Sequence, residues 1–225
     1  MERKILDKIK EYLSKAPRSQ DKWHVSDLLY PLKAFWQRID PQPMTDLQAL
    51  YFIAGRAHHG ILEACLGPEK EDKRADAGEF EKHGIYYSPD LRMPYPWEIK
   101  TSRAMFEPKD PATGYEGYLK QLHSYQAMDE TDKGGLLVFY LTLKNGFKRL
   151  PALRFYQVML DKKERAKKVA QMKALAKQLT EAVKKKDHKK LPLCPEWLCR
   201  DCVWFSKCEP WRLDKKRKNI QKEAA

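Results

Sequence analysis

The chain reads as an α/β protein, and three stretches predict this. Leu136-Leu-Val-Phe-Tyr-Leu-Thr-Leu143 is an uninterrupted apolar run with the length of a strand buried on both faces. Asn145-Gly146 directly after it is a tight-turn signal leading into a second strand at about 147–157. Long helical patterns lie on both sides of this pair, including a basic stretch over 161–186.

Taken in order, the chain begins with apolar residues at 5, 6, 9, 12 and 13, which predict an amphipathic helix over 2–14 that Pro17 ends. Ser26 is placed to cap a second helix running to about Arg38, before the break at Pro41 and Pro43. Leu47–Leu66 is apolar with helical spacing at Leu50, Ile53, Ala57, Ile61 and Ala64, and a polar linker, Gly67–Gly78, follows. Strands are expected at about 80–88 and 96–102, with Pro94 and Pro96 in the turn between them. A proline-rich loop, Phe106–Gly114, leads to a helix around 118–128.

With 225 residues the chain can bury a core, and it fits one domain with an appended subdomain. Three segments are expected, integrated into effectively one domain. They are a helical region over 1–66, a core over 67–160, and a basic, cysteine-bearing region over 161–225. No run of about 18 apolar residues exists, so no membrane span is expected. Net charge is +13, and residues 161–225, with 20 Lys/Arg against 9 Asp/Glu, carry +11 of it. A basic helix and Lys-Arg tail of this kind suit contacts with phosphate backbones, hence a nucleic-acid partner.

The chemistry concentrates at Ser88-Pro89-Asp90, seven further residues, then Glu98-Ile99-Lys100. A strand–turn–strand arrangement would bring both carboxylates together, with Glu98 and Lys100 on one strand face and Ile99 on the other. Clustered carboxylates are a hard-cation site for Mg²⁺ or Mn²⁺, and an adjacent lysine can orient or polarise a metal-bound water. Upstream, His58-His59 sit on the apolar helix, with His59 and Glu63 four apart on one face. His58 points about a quarter-turn away, so one ligand, His59, is expected. Downstream, Gln121 and Tyr125 are again four apart and project together.

Four of the five cysteines crowd into Cys194-x₄-Cys199-x₂-Cys202-x₅-Cys208, a density typical of thiolate metal ligation. Residues 1–15 have no apolar core resembling a signal peptide, so the thiols are expected to stay reduced in a cytoplasm, free for metal. Spacing leaves Zn²⁺ and an iron–sulfur cluster both open.

In this order the motifs resemble the RecB-like branch of the PD-(D/E)XK nucleases. Most closely, they resemble the iron–sulfur exonucleases associated with CRISPR adaptation and their viral relatives, over about Ser26 to Cys208. The resemblance implies a restriction-endonuclease-like core, a central mixed sheet flanked by helices, with a C-terminal metal-cluster subdomain. It implies that His59, Asp90, Glu98 and the Ile99 carbonyl bind Mn²⁺ or Mg²⁺, that Lys100 is catalytic, and that Gln121 and Tyr125 position DNA. Cys199, Cys202 and Cys208 match the usual three C-terminal cluster cysteines. Where such proteins place another cysteine near the N-terminus this chain has Tyr30, which leaves Cys194 as candidate fourth ligand, with Cys65 on the apolar helix as a buried alternative. The implied cofactor is [4Fe–4S], with structural zinc as the alternative. The implied activity is exonucleolytic cutting of single-stranded DNA or DNA ends, in an intracellular protein, with a viral source as the alternative and the oligomeric state open. The remaining alternatives are a non-catalytic nucleic-acid-binding module and an adaptor subunit of a CRISPR adaptation or viral replication complex. Trp197, Trp204, Phe205 and Trp211 are expected to pack beside the cysteines or to stack on unpaired bases.

Overall fold

The computed structural model describes residues 2–14, 22–66, 79–92, 94–145, 147–199 and 202–209. The Gly67–Gly78 linker, Gly146, Trp211 and the Lys-Arg tail lie outside them, as does the side chain of Glu63. In chain order the elements are α1 (Glu2–Ser14), β1 (Trp23–His24), α2 (Val25–Leu29), α3 (Pro31–Ile39), α4 (Asp46–Leu66), β2 (Phe80–Lys82), β3 (Ile85–Tyr87) and β4 (Trp97–Ser102). They continue with α5 (Pro111–Gly114), α6 (Glu116–Asp129), β5 (Lys133–Asn145), β6 (Lys148–Met159), α7 (Lys162–Lys185) and α8 (Glu196–Cys199).

The strands form two mixed three-stranded sheets, ordered β1-β3-β2 and β4-β5-β6, where one central sheet was expected. Within them β1–β3 and β4–β5 are parallel, while β2–β3 and β5–β6 are antiparallel. The two strands carrying the acidic motif are therefore not ladder partners. Only an isolated antiparallel bridge, Leu91 to Trp97, closes the turn between them. The single strand expected over 80–88 is a hairpin, because His83 and Gly84 both take positive φ and turn the chain. The helix expected over Ser26–Arg38 is two helices. Pro31 has no N–H to continue the first and instead opens the second.

Local chemistry explains the other boundaries. Thr45 and Gln48 form a reciprocal cap, each backbone N–H donating to the other's side chain at 3.0 and 3.2 Å, and this starts α4. Glu130 in the left-handed conformation ends α6. β5 is the longest strand and is buried along most of its length, as its apolar run predicts.

The chain divides into two compact units. One comprises residues 1–29 and 44–173, the other 30–43 and 174–225. The division runs through α7 and groups α3 with the cysteine segment. In the first unit, α6 packs Leu122 against Leu136, Val138 and Tyr140 on one face of β5. On the opposite face, Leu62 of α4 meets Ile99 and Leu137. The helical stripe anticipated in α4 faces solvent: Leu50, Ile53 and Ile61 are exposed. This helix is apolar on every side, so periodicity alone does not identify its packed face. Among the described residues no helix is long and apolar enough to cross a membrane.

Candidate functional site

β4 carries the centre of the site. Its register sets Glu98 beside Leu136 and Lys100 beside Val138, on the face that packs against α6, while Ile99 points into the opposite layer. The predicted alternation therefore holds. Glu98 is fully buried, and its Oε1 forms an ion pair with Lys100 Nζ. Lys100 Nζ also lies 5.7 Å from the ring centroid of Tyr118, three residues before Gln121 on α6. In the sequence Tyr118 carries no expected role beyond its place in the helix around 118–128. Its i, i+3 relation to Gln121 was the one available signal that it faces the same side.

The turn after β3 brings Asp90 in. Asp90 N–H donates to the Trp97 carbonyl at 3.1 Å, and Trp97 N–H donates to Leu91 O at 2.8 Å. With the turn closed, Asp90 Oδ2 accepts the Ile99 amide at 2.6 Å. The other oxygen, Oδ1, stands 3.7 Å from His59 Nδ1. His58 is engaged elsewhere: its Nδ1 lies 2.6 Å from the Ala54 carbonyl and its ring packs on Phe139. Of the two histidines it is His59 that meets the acidic motif, which the quarter-turn argument anticipates.

Electrostatics set Glu98 apart from an ordinary carboxylate. Burial pushes its pKa from 4.5 up to about 7, Asp90 pushes in the same direction, and Lys100 and His59 oppose. For Lys100, burial acts to lower the pKa, but Glu98 and Asp90 prevail and hold it above its ordinary value. Both Glu98 oxygens are buried, and Lys100 is the partner of Oε1. A buried carboxylate beside a second carboxylate and an imidazole is a donor set suited to a hard divalent cation. As they stand, no three His, Cys, Asp or Glu side chains among the described residues are gathered closely enough to hold a single ion.

On α6, Gln121 Nε2 donates to Tyr125 Oη at 2.7 Å, so the pair does project together. Tyr125 is nevertheless buried and lies near the Tyr87 ring at 6.5 Å, so its ring is also part of the core.

The second unit holds the cysteines. Cys194, Cys199, Cys202 and Cys208 all line one pocket, whose other walls are Leu32, Lys33, Trp36, Leu193, Leu198 and Phe205. Burial pushes the Cys194 thiol up to about 11, the Lys33 backbone hydrogen bond opposes, and the other three cysteines add to the rise. Four sulfurs around an apolar recess fit a cationic metal centre, which would offset the charge of their thiolates. Cys65, expected to be buried, is exposed on α4 and does not line this pocket. Trp204 is buried with its Nε1–H donating to Asp40 O at 2.8 Å, while Trp197 is exposed and stands edge-on to Tyr30.

The fold is similar to that of SSO0001. The crystal structure of SSO0001 superposes with a TM-score of 0.57 at 19% sequence identity, over 89% of this chain and 91% of that one. Weaker similarity extends to an alkaline exonuclease, LHK-Exo, from Laribacter hongkongensis, at TM-score 0.46 and 12% identity, over 73% of this chain and 91% of that one. The complex of LHK-Exo with dAMP gives TM-score 0.44 at the same identity and coverage. No family model and no curated protein matches the chain.

Proposed function

We propose that this protein is a metal-dependent DNA nuclease that hydrolyses phosphodiester bonds, acting as an exonuclease on single-stranded DNA or DNA ends. One observation carries the reading. The fully buried Glu98 carboxylate is ion-paired with Lys100 and shares its surroundings with the Asp90 carboxylate and the His59 imidazole. Burial and Asp90 both act against ionisation of Glu98, so one ammonium leaves the charge of the site incompletely balanced, and a bound divalent cation would complete that balance. His59, Asp90, Glu98 and the Ile99 carbonyl would hold Mn²⁺ or Mg²⁺. When bound, the ion supplies a water of lowered pKa and neutralises charge on the phosphate.

The remaining work falls to the chain's own groups. Asp90, hydrogen-bonded to the Ile99 amide, ties the turn to β4 and keeps its second oxygen toward His59. Lys100 Nζ, held between Glu98 and the Tyr118 ring, orients the attacking water and offsets charge developing on the phosphate. Gln121 and Tyr125, linked to each other, position the strand near the cut. The basic α7 contributes backbone attraction that is independent of base sequence.

In the second unit Cys194, Cys199, Cys202 and Cys208 would hold a [4Fe–4S] cluster with a structural role, tying the C-terminal segment to α3. All four sulfurs line a single recess, which supports the ligand set. Structural zinc on the same four thiolates is the alternative.

The test is a gel assay on 5′- and 3′-labelled single-stranded DNA with Mn²⁺, Mg²⁺ or EDTA, comparing wild type with Asp90→Ala. Metal-dependent products that vanish in the variant are expected, and the label pattern gives the polarity. A folded, metal-loaded wild type that binds DNA and never cuts it would replace this reading with that of a binding module or adaptor.

A further inference from the structure

Four metal-bound thiolates in one recess would present more negative charge than aliphatic and aromatic walls can solvate, and hydrogen bonds to sulfur are a direct way to offset it. Leu32, Leu193, Leu198 and Phe205 supply none. Two N–H groups of α3 do: the Lys33 backbone amide bonds Cys194, and the Trp36 indole Nε1–H donates to Cys208 Sγ at 2.8 Å. An indole N–H is a donor only, so this contact has a single direction.

The indole is held in place from several directions. Phe35 meets it edge-on at 5.1 Å, and the His188 ring lies 5.1 Å away. The Lys207 ammonium stands 5.6 Å from its ring centroid and is itself tied to Asp40 Oδ2 at 2.6 Å. A cation against the ring draws π-density toward itself and so strengthens the N–H as a donor. Asp40 closes α3, and its carbonyl accepts Trp204 Nε1–H. Trp36, Lys207 and Asp40 thus form one connected unit behind the buried Cys208.

We propose that Trp36 is a positioning residue for a thiolate-bound metal centre, donating its indole N–H to the Cys208 sulfur and thereby strengthening metal retention. The proposal rests on the reading of the four cysteines as a metal site. Donation lowers the energy of the sulfur lone pairs, so it also raises the energy of sulfur-to-metal charge transfer. Outer contacts of this kind change metal affinity by about 10- to 100-fold when removed.

The experiment uses the full chain, freed of metal under reducing conditions and titrated with Co²⁺, read by the thiolate-to-cobalt charge-transfer absorption. Trp36→Phe keeps the ring and removes the donor. It should bind Co²⁺ about tenfold more weakly, with its band moved to longer wavelength. A second measurement needs no substitution: in the cobalt-loaded wild type, exchange of N–H for N–D should shift the metal–sulfur stretching frequencies in the Raman spectrum, and Trp36→Phe should lose part of that shift. If Trp36→Phe fails to fold, absence of the deuterium shift in wild type still overturns the role of Trp36. Equal affinity with an unmoved band, or no deuterium shift, overturns the role of Trp36 while leaving the metal site standing. A wild type that takes up no cobalt overturns both.

Discussion

Glu98→Gln should make the fold more stable while removing the proposed activity. The Glu98 carboxyl is fully buried, and burial, reinforced by Asp90 and opposed by Lys100, moves its pKa from 4.5 to about 7. The folded value lies above the unfolded one, so folding favours the protonated form. Below about pH 4.5 both states hold the proton and no penalty exists. Stability then falls as pH rises toward about 7, and above that the penalty is constant. At about 1.4 kcal/mol for each pH unit in this interval, the penalty reaches about 3 kcal/mol. Glutamine has the shape of the protonated side chain and cannot ionise. In EDTA, Glu98→Gln should therefore be about 3 kcal/mol more stable than wild type at about pH 8, and nearly equal to it at about pH 4. For a chain of this length that gain raises the melting temperature by roughly 6–12 °C. Thermal and urea unfolding of both proteins at the two pH values measure it, and Mn²⁺ should stabilise wild type at the higher pH but not the variant. A variant that gains the same amount at both pH values, or is less stable at about pH 8, would refute the claim that ionised Glu98 burdens the metal-free fold.

Three further outcomes follow from the same geometry. Lys100→Met should lower metal-dependent cleavage by about 10²–10³-fold in a single-turnover assay, and it should destabilise the fold above neutral pH, because Glu98 loses the charge that opposes its burial. Gly135→Ala should cost about 1–3 kcal/mol in urea unfolding, since a Cβ there would stand 2.8 Å from the Trp97 ring. Cys194→Ser should reduce bound iron or zinc, measured by elemental analysis of the purified protein, whereas Cys65→Ser, on an exposed helix position outside the pocket, should leave it unchanged.

Short-range chemistry was legible wherever one local rule dominated. The apolar run of β5, the long α7 and the strand alternation of Glu98, Ile99 and Lys100 follow from periodicity, and the structure keeps all three. Periodicity misled where it could not discriminate. α4 is apolar all round, so its packed side was set by which residues meet Ile99 and Leu137, not by spacing. The breaks at Pro31 and His83-Gly84 depend on single residues inside otherwise continuous patterns, and there local backbone geometry outweighed the average of the window.

The sequence by itself determined which residues could do chemistry: two carboxylates, a lysine, a histidine and four clustered thiols, each placed on the element that its neighbours specify. Only the tertiary structure decided how these groups act on one another. It set His59 beside Asp90, and it buried Glu98 by pairing β4 with β5 on the sheet face that α6 covers. It also brought Trp36 to a cysteine 172 positions away. Such pairings depend on packing between segments far apart in the chain, and no local pattern of propensity or spacing encodes a distance across the fold.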